Sequence, residues 1–97
     1  MQHFKVQHDK VGQKFYIALG EDKEALLAYT EVNDVMDLHH MFVPEEARGQ
    51  GLAEQLALAA FEFARKNHMR IIPSCPYIRD TFLKEHPECM DLVTRDI

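Results

Sequence analysis

The chain has 97 residues, room for one domain with a modest core, and its 46% hydrophobic and 28% charged content is that of an ordinary globular protein. A formal net charge of −5 argues against duplex nucleic acid as a partner, because backbone binding needs clustered Lys and Arg. No apolar run approaches the ~18–20 residues that span a bilayer, and Met1-Gln2-His3-Phe4-Lys5 lacks a signal peptide's apolar core, so the expectation is a cytoplasmic protein with no membrane partner.

Residues 2–8 alternate, with His3, Lys5 and Gln7 set against Phe4, Val6 and His8, and predict an edge strand. Such an edge permits dimerisation without demanding it. A polar turn with Gly12 follows, then an aromatic and β-branched second strand over 14–19. Residues 20–23 form the next turn. The segment 24–32 contains Ala25-Leu26-Leu27-Ala28, which suits a helix, but Tyr29, Thr30 and Val32 and the short connections on either side predict a strand. Asn33-Asp34 supplies a tight turn before a fourth strand over 35–43, with Met36, Leu38 and Phe42 at alternate apolar positions. Four strands joined by short turns describe an antiparallel meander.

From 49 to 67 the period becomes helical. Leu52, Leu56, Ala59, Ala60 and Phe63 fall on one stripe, which Ala53, Ala57 and Ala64 widen. That stripe is core packing and carries no chemistry. Residues 69–72 make a short strand closed by Pro73. Pro76 suits a first helical position, so a second helix is expected over 76–85 with Cys75 as its N-cap, ended by Pro87 acting on His86. Residues 91–94 add a last short strand or trail off. The sum is a single α/β (α+β) domain over residues 1–97, ordered ββββ-α-β-α, with a mixed, mostly antiparallel central sheet flanked by two helices.

The stretch around which this order turns is Val43-Pro44-Glu45-Glu46-Ala47-Arg48-Gly49-Gln50-Gly51-Leu52-Ala53. No Ser, Thr, Asp or Asn stands just ahead of the helix as a cap. A helix start leaves four N–H groups without partners at the positive end of its dipole, and glycines let a ligand approach the backbone. Residues 48–53 are therefore a candidate phosphate cradle. Gly-x-Gly between strand and helix is also a common tight turn, and its neighbours decide. Arg48-x-x-Gly51-x-Ala53 after a Val-Pro strand end resembles the [QR]-x-x-G-x-[GA] signature of the GNAT N-acetyltransferases, whose loop amides hold the CoA pyrophosphate.

Cys75 stands where a helix dipole lowers a thiol pKa, from ~8.5 toward ~3.5–7.5 in reactive cysteines, while a lone cysteine is otherwise a small buried hydrophobe. Cys75-Pro76-Tyr77-Ile78, then Phe82, His86-Pro87-Glu88 and Asp91-Leu92-Val93, resembles the C-terminal half of a short, single-domain GNAT subfamily. With the loop, the likeness spans residues 24–93. It implies binding of acetyl-CoA or coenzyme A as cosubstrate and transfer of acetyl to an amine acceptor that the sequence does not name. The loop Arg48, Gly49, Gln50, Gly51, Leu52 and Ala53 would hold the pyrophosphate. The strand edge at Met41, Phe42 and Val43 would orient the thioester, with the pantetheine arm between residues 40–43 and 70–73. Cys75 would lie near the thioester as an acyl acceptor, and Tyr77 would protonate the departing thiolate.

One departure bears on mechanism. The subfamily commonly shows H-T-[EY]-V-P where this chain has His40-Met41-Phe42-Val43-Pro44, and Phe42 cannot take a proton. His40, Glu45 or Glu46 must substitute, or the reaction runs through the Cys75 thiolate. The six histidines show no i,i+4 pair, the two cysteines no Cys-x-x-Cys spacing, and a metal is not expected. His39 and His40 are expected on opposite faces of a strand, His86 in a hydrogen bond at the helix end, and Cys89 inert. Two other readings follow from the same residues. One is a CoA-binding or interaction module without turnover, which Phe42 favours; the other is a thiol redox sensor at Cys75.

Overall fold

Two tight turns set the sheet. The computed structural model of the chain describes residues 4–94. Strands β1 (Gln7–Asp9), β2 (Lys14–Gly20), β3 (Lys23–Val32) and β4 (Val35–Phe42) lie side by side in sequence order, each antiparallel to the last. Glu21 and Asp22 join β2 to β3, Asn33 and Asp34 join β3 to β4, and all four have φ between 50° and 63°. Positive φ at both central residues gives the turn whose twist matches that of paired strands. The expected strand over 2–8 is realised as Gln7–Asp9, and residues 2 and 3, with His3, lie outside the described residues. Strand β5 (Arg70–Ile72) then adds in parallel beside β4, as the expected crossover requires.

One face of the sheet makes the core. Phe15, Ile17, Ala25, Leu27, Tyr29, Met36, Leu38 and Ile71 are buried there. Helix α1 (Leu52–Lys66) covers them with Leu52, Leu56, Ala57, Ala60, Phe61 and Ala64, small residues letting it lie close. A second helical segment over residues 76–85 packs beside α1, where Phe61 and Phe82 stack with centroids 5.2 Å apart. Each fully buried Leu, Ile or Phe side chain contributes roughly 1.5–3 kcal/mol. The fold is the expected ββββ-α-β-α, built as two layers with both helices on one side. On the opposite face Lys14, Tyr16, Leu26, Ala28 and Thr30 are half-buried or exposed.

The alternation along β4 is broken once. Ala28 pairs with His40 and Tyr29 with Leu38, so His39 is an extra residue in the ladder. A bulge of this kind inverts the facing of everything after it. Met41 and Val43 consequently turn toward the core, and Phe42, expected inward with Met36 and Leu38, is 44% exposed. His39 and His40 stand together on the open face instead of on opposite ones, with His39 Nε2 3.3 Å from Thr30 Oγ1.

The second helix carries a π-helical stretch, Ile78–Phe82, in which the Leu83 N–H donates to the Ile78 carbonyl, and closes with an α-helical turn, Leu83–Glu85. It ends where expected: His86 has φ −129° and ψ 65°, outside the helical region that Pro87 denies it. A 3-10 turn over Pro87–Leu92 follows in place of a strand, tied back by a bidentate ion pair of Arg65 with Asp91 at 2.8 Å. Val93 then makes a single parallel bridge to Ile71.

Candidate active site

The β4–α1 connection is built to leave backbone amides unused. After Val43, Pro44 is buried and Glu45–Ala47 form a 3-10 turn in which Ala47 N–H donates to the Pro44 carbonyl at 2.9 Å. Arg48 Nε reaches back to the Val43 carbonyl at 3.0 Å, fastening the loop to the strand end. Gly49 and Gly51 have φ of 84° and 76°, and a Cβ at either would meet nothing within 4 Å. Gly51 is the N-cap of α1 and supplies no side-chain bond; the first backbone bond is from Gln55 N–H to the Gly51 carbonyl. Among the described residues no acceptor therefore meets the amides of residues 49–54. Such a set of free donors at the positive end of a 15-residue helix has the character of a candidate anion site.

These amides open onto a cleft of about 380 Å³, lined by Val43, Ala47, Arg48, Gly49, Gly51, Leu52 and Ala53 on one side. The other wall is one face of the second helix, Tyr77, Thr81 and Glu85, with Glu54 of α1 between the two walls. Tyr77 is half-buried, and burial, followed by the nearby Glu54 and Glu85 carboxylates, pushes its hydroxyl above the usual tyrosine range, so it stays protonated. Glu54, Thr81 and Glu85 were not singled out from sequence, although Tyr77, Thr81 and Glu85 recur every fourth residue in a segment read as helical.

Beside the cleft the two parallel strands part. β4 pairs with β5 only over Val35, Met36 and Asp37, and the last link is Cys75 N–H to the Leu38 carbonyl at 2.7 Å. From residue 39 to 42 that edge of β4 has no backbone partner among the described residues.

The other residues singled out from sequence fall elsewhere. Cys75 does precede the second helix, and its carbonyl accepts the Arg79 N–H, but the residue is 3% exposed within the core and does not line the cleft. Gln50 faces a separate hollow with Leu19 and Gly20. Met41 is half-buried against the core, and the Phe42 side chain faces a hollow with Leu26, Pro44 and Glu45 on the open side of the sheet. His40 is exposed on that same side. Glu46 pairs with Lys23, whose ammonium draws its carboxyl below the usual range. Cys89 is buried, and burial pushes its thiol up.

Comparison with known proteins decides what this architecture is. The sequence model of the GCN5-related N-acetyl-transferases matches residues 14–92, strand β2 through the 3-10 turn after the second helix. The chain belongs to that family. Among curated proteins it is similar to Protein NATD1 of Bos taurus, 38% identical over 85 residues that cover 86% of this chain and 74% of the relative. Protein NATD1 of Danio rerio is 39% identical over the same share of this chain and 76% of its own length. Among solved structures, a GCN5-like protein from Staphylococcus aureus determined by NMR superposes with a TM-score of 0.73 at 29% identity, covering 97% of this chain and 91% of the other. Membership of the GCN5-related family supports acetyltransferase activity in general, and proteins of this fold usually use acetyl-CoA.

Proposed function

We propose that the chain binds acetyl-CoA in the cleft and transfers its acetyl group directly to an amine. The observation that carries the reading is the row of amides at residues 49–54, free of protein acceptors beneath two open glycines. Those donors and the Arg48 guanidinium fit a pyrophosphate, the group that a helix N-terminus and a fork of N–H donors hold best. The unpaired edge of β4 at residues 39–42 supports a second contact, since an extended arm bearing amides can add to it as a strand would.

In this reading each residue has one task. Loop and strand edge fix the thioester so that an amine nitrogen can attack its carbonyl carbon as the C–S bond breaks. The Tyr77 hydroxyl, kept protonated in the cleft, gives its proton to the leaving sulfur. The amine approaches from the open face of the sheet, where Phe42 cannot accept a proton and His40 takes that task. Transfer through Cys75 is disfavoured by the burial of its thiol. Phe42 supports a second reading, a CoA-binding module without turnover.

Titration with CoA, followed by amide NMR, tests the cradle: residues 49–54 shift first and most, and absence of shifts there defeats it. Acetyl-CoA turnover against a panel of amines separates transferase from binding module. Intact-mass spectra after incubation with acetyl-CoA are expected to show no acetyl on wild type or Cys75→Ala; an adduct on wild type alone, discharged by amine, would install Cys75 as the acceptor.

A further inference from the structure

The free amides share their cleft with two carboxylates, Glu54 and Glu85, which oppose any polyanion. One of them is engaged. His86 Nε2 lies 2.8 Å from Glu54 Oε2, and its other nitrogen, Nδ1, lies 3.2 Å from Glu88 Oε2. Carboxylates only accept hydrogen bonds, so both contacts are satisfied together only when both ring nitrogens carry protons. The ring is held flat on Phe82, with centroids 4.5 Å apart and planes within 24°. Phe82 is fully buried, so the imidazole has a fixed platform. Glu54 belongs to the first turn of α1 and His86 follows the last residue of the second helix, so their contact ties the two cleft walls together.

We infer that His86 is a positioning residue of this cleft: its imidazolium holds the Glu54 carboxylate away from the loop amides and cancels its charge, so that the cleft accepts a polyphosphate well only while His86 is protonated. The inference rests on the polyphosphate reading of the cleft. The charged groups that meet His86 are Glu54 from α1 and Glu88 from the 3-10 turn, while Glu85, its neighbour in the chain, lines the cleft; Arg65, paired with Asp91, stands near Glu88. None of the carboxylates is a donor, so the loss of one proton from the ring leaves one contact without its hydrogen bond. The bonds to Glu54 and then Glu88 raise His86 above the ordinary histidine range.

The sign of the effect is distinctive. CoA gains negative charge as its terminal phosphate deprotonates between about pH 6 and 7, which strengthens attraction to amides and Arg48. A cleft governed by the ligand alone binds more tightly as pH rises; a cleft governed by His86 binds less tightly. The measurement is the CoA dissociation constant by titration calorimetry at about pH 6 and about pH 8.5, at constant ionic strength, for wild type, His86→Gln, Glu54→Gln and the double variant. Wild type is expected to weaken about five- to tenfold across that range, the effect of uncovering one charge near a polyanion. His86→Gln is expected to be weak at both pH values, Glu54→Gln tight at both. The double variant, with two neutral amides in place of the ion pair, is expected to follow Glu54→Gln. A wild type that does not weaken, or a Glu54→Gln protein that does, overturns the inference, and neither result depends on His86→Gln folding. Weak binding by the double variant also overturns it, as the sign of a merely structural tie. No CoA binding by any of the four at either pH defeats the polyphosphate reading itself, a different failure with a different signature.

Discussion

Two histidines mark the two ends of this molecule, and they are used in opposite ways. His8, on β1, stacks on Phe15 at 4.1 Å, meets the edge of Phe63 at 4.6 Å and shares a 2.6 Å hydrogen bond with the Tyr29 hydroxyl. Burial holds it below the ordinary histidine range, so it serves there as a neutral aromatic ring. His86 also lies on a phenylalanine, but carboxylates meet both its nitrogens and favour its charged form. The end near β1 closes the core with apolar contact; the cleft end keeps charge, free amides and open space. Both ends carry buried core packing, but only the second is proposed as a binding end, and this division can be tested.

The largest effects should come from the two platforms. Phe15 and Phe82 are 3% and 0% exposed, and truncation of either to alanine is expected to cost about 3–5 kcal/mol of stability, measured by denaturant unfolding. The milder Phe15→Leu and Phe82→Leu keep the chain folded for binding measurements. The comparison predicts unchanged CoA affinity for Phe15→Leu and a several-fold loss for Phe82→Leu, whose side chain no longer supports His86. Equal losses from both would dissolve the division between the ends.

A smaller and cleaner contrast lies in two glycines. Gly20, in the turn after β2, and Gly51, at the start of α1, have φ of 86° and 76°, and neither would bring an added Cβ within 4 Å of another group. Alanine at either site meets strain but no clash, so each is expected to lose about 1–2 kcal/mol of stability. Gly51→Ala should also weaken CoA binding, because its methyl group stands over the amides, whereas Gly20→Ala should bind as wild type does. If Gly51→Ala loses no more affinity than Gly20→Ala, the loop is an ordinary tight turn.

Much of this was legible in the chain. Strand and helix order followed from periodicity and turn residues, because Asn33-Asp34 and Pro87 act locally, and the Arg48–Ala53 loop stood out because its missing cap is a local fact. What escaped is set by contacts distant in sequence. The bulge at His39 depends on the register against β3, and with it went the facing of Phe42 and the grouping of His39 with His40. The Glu54–His86 contact joins residues 32 positions apart, and no spacing rule announces such a pair. Cys75 was read from its place before a helix, but burial of the thiol depends on how that helix packs beside α1.

The smallest expected effect is the most direct comparison of the two histidines, through the pH dependence of stability. His86 in the folded chain lies above its ordinary value of 6.5, so the folded state holds more protons than the unfolded one between 6.5 and that raised value. Its contribution is full below pH 6.5 and is lost as pH rises through the folded pKa. His8 lies below 6.5 in the folded chain, so there the unfolded state takes up the proton first. Its contribution is full above pH 6.5 and is lost as pH falls through the folded pKa. Stability, read as the denaturation midpoint, should therefore decline on both sides of a maximum near pH 6.5. His86→Gln should flatten the alkaline limb and leave the acid limb, while His8→Gln should do the reverse. If one substitution flattens both limbs, the two ends titrate as one unit, and the separation of an apolar end from a charged one fails.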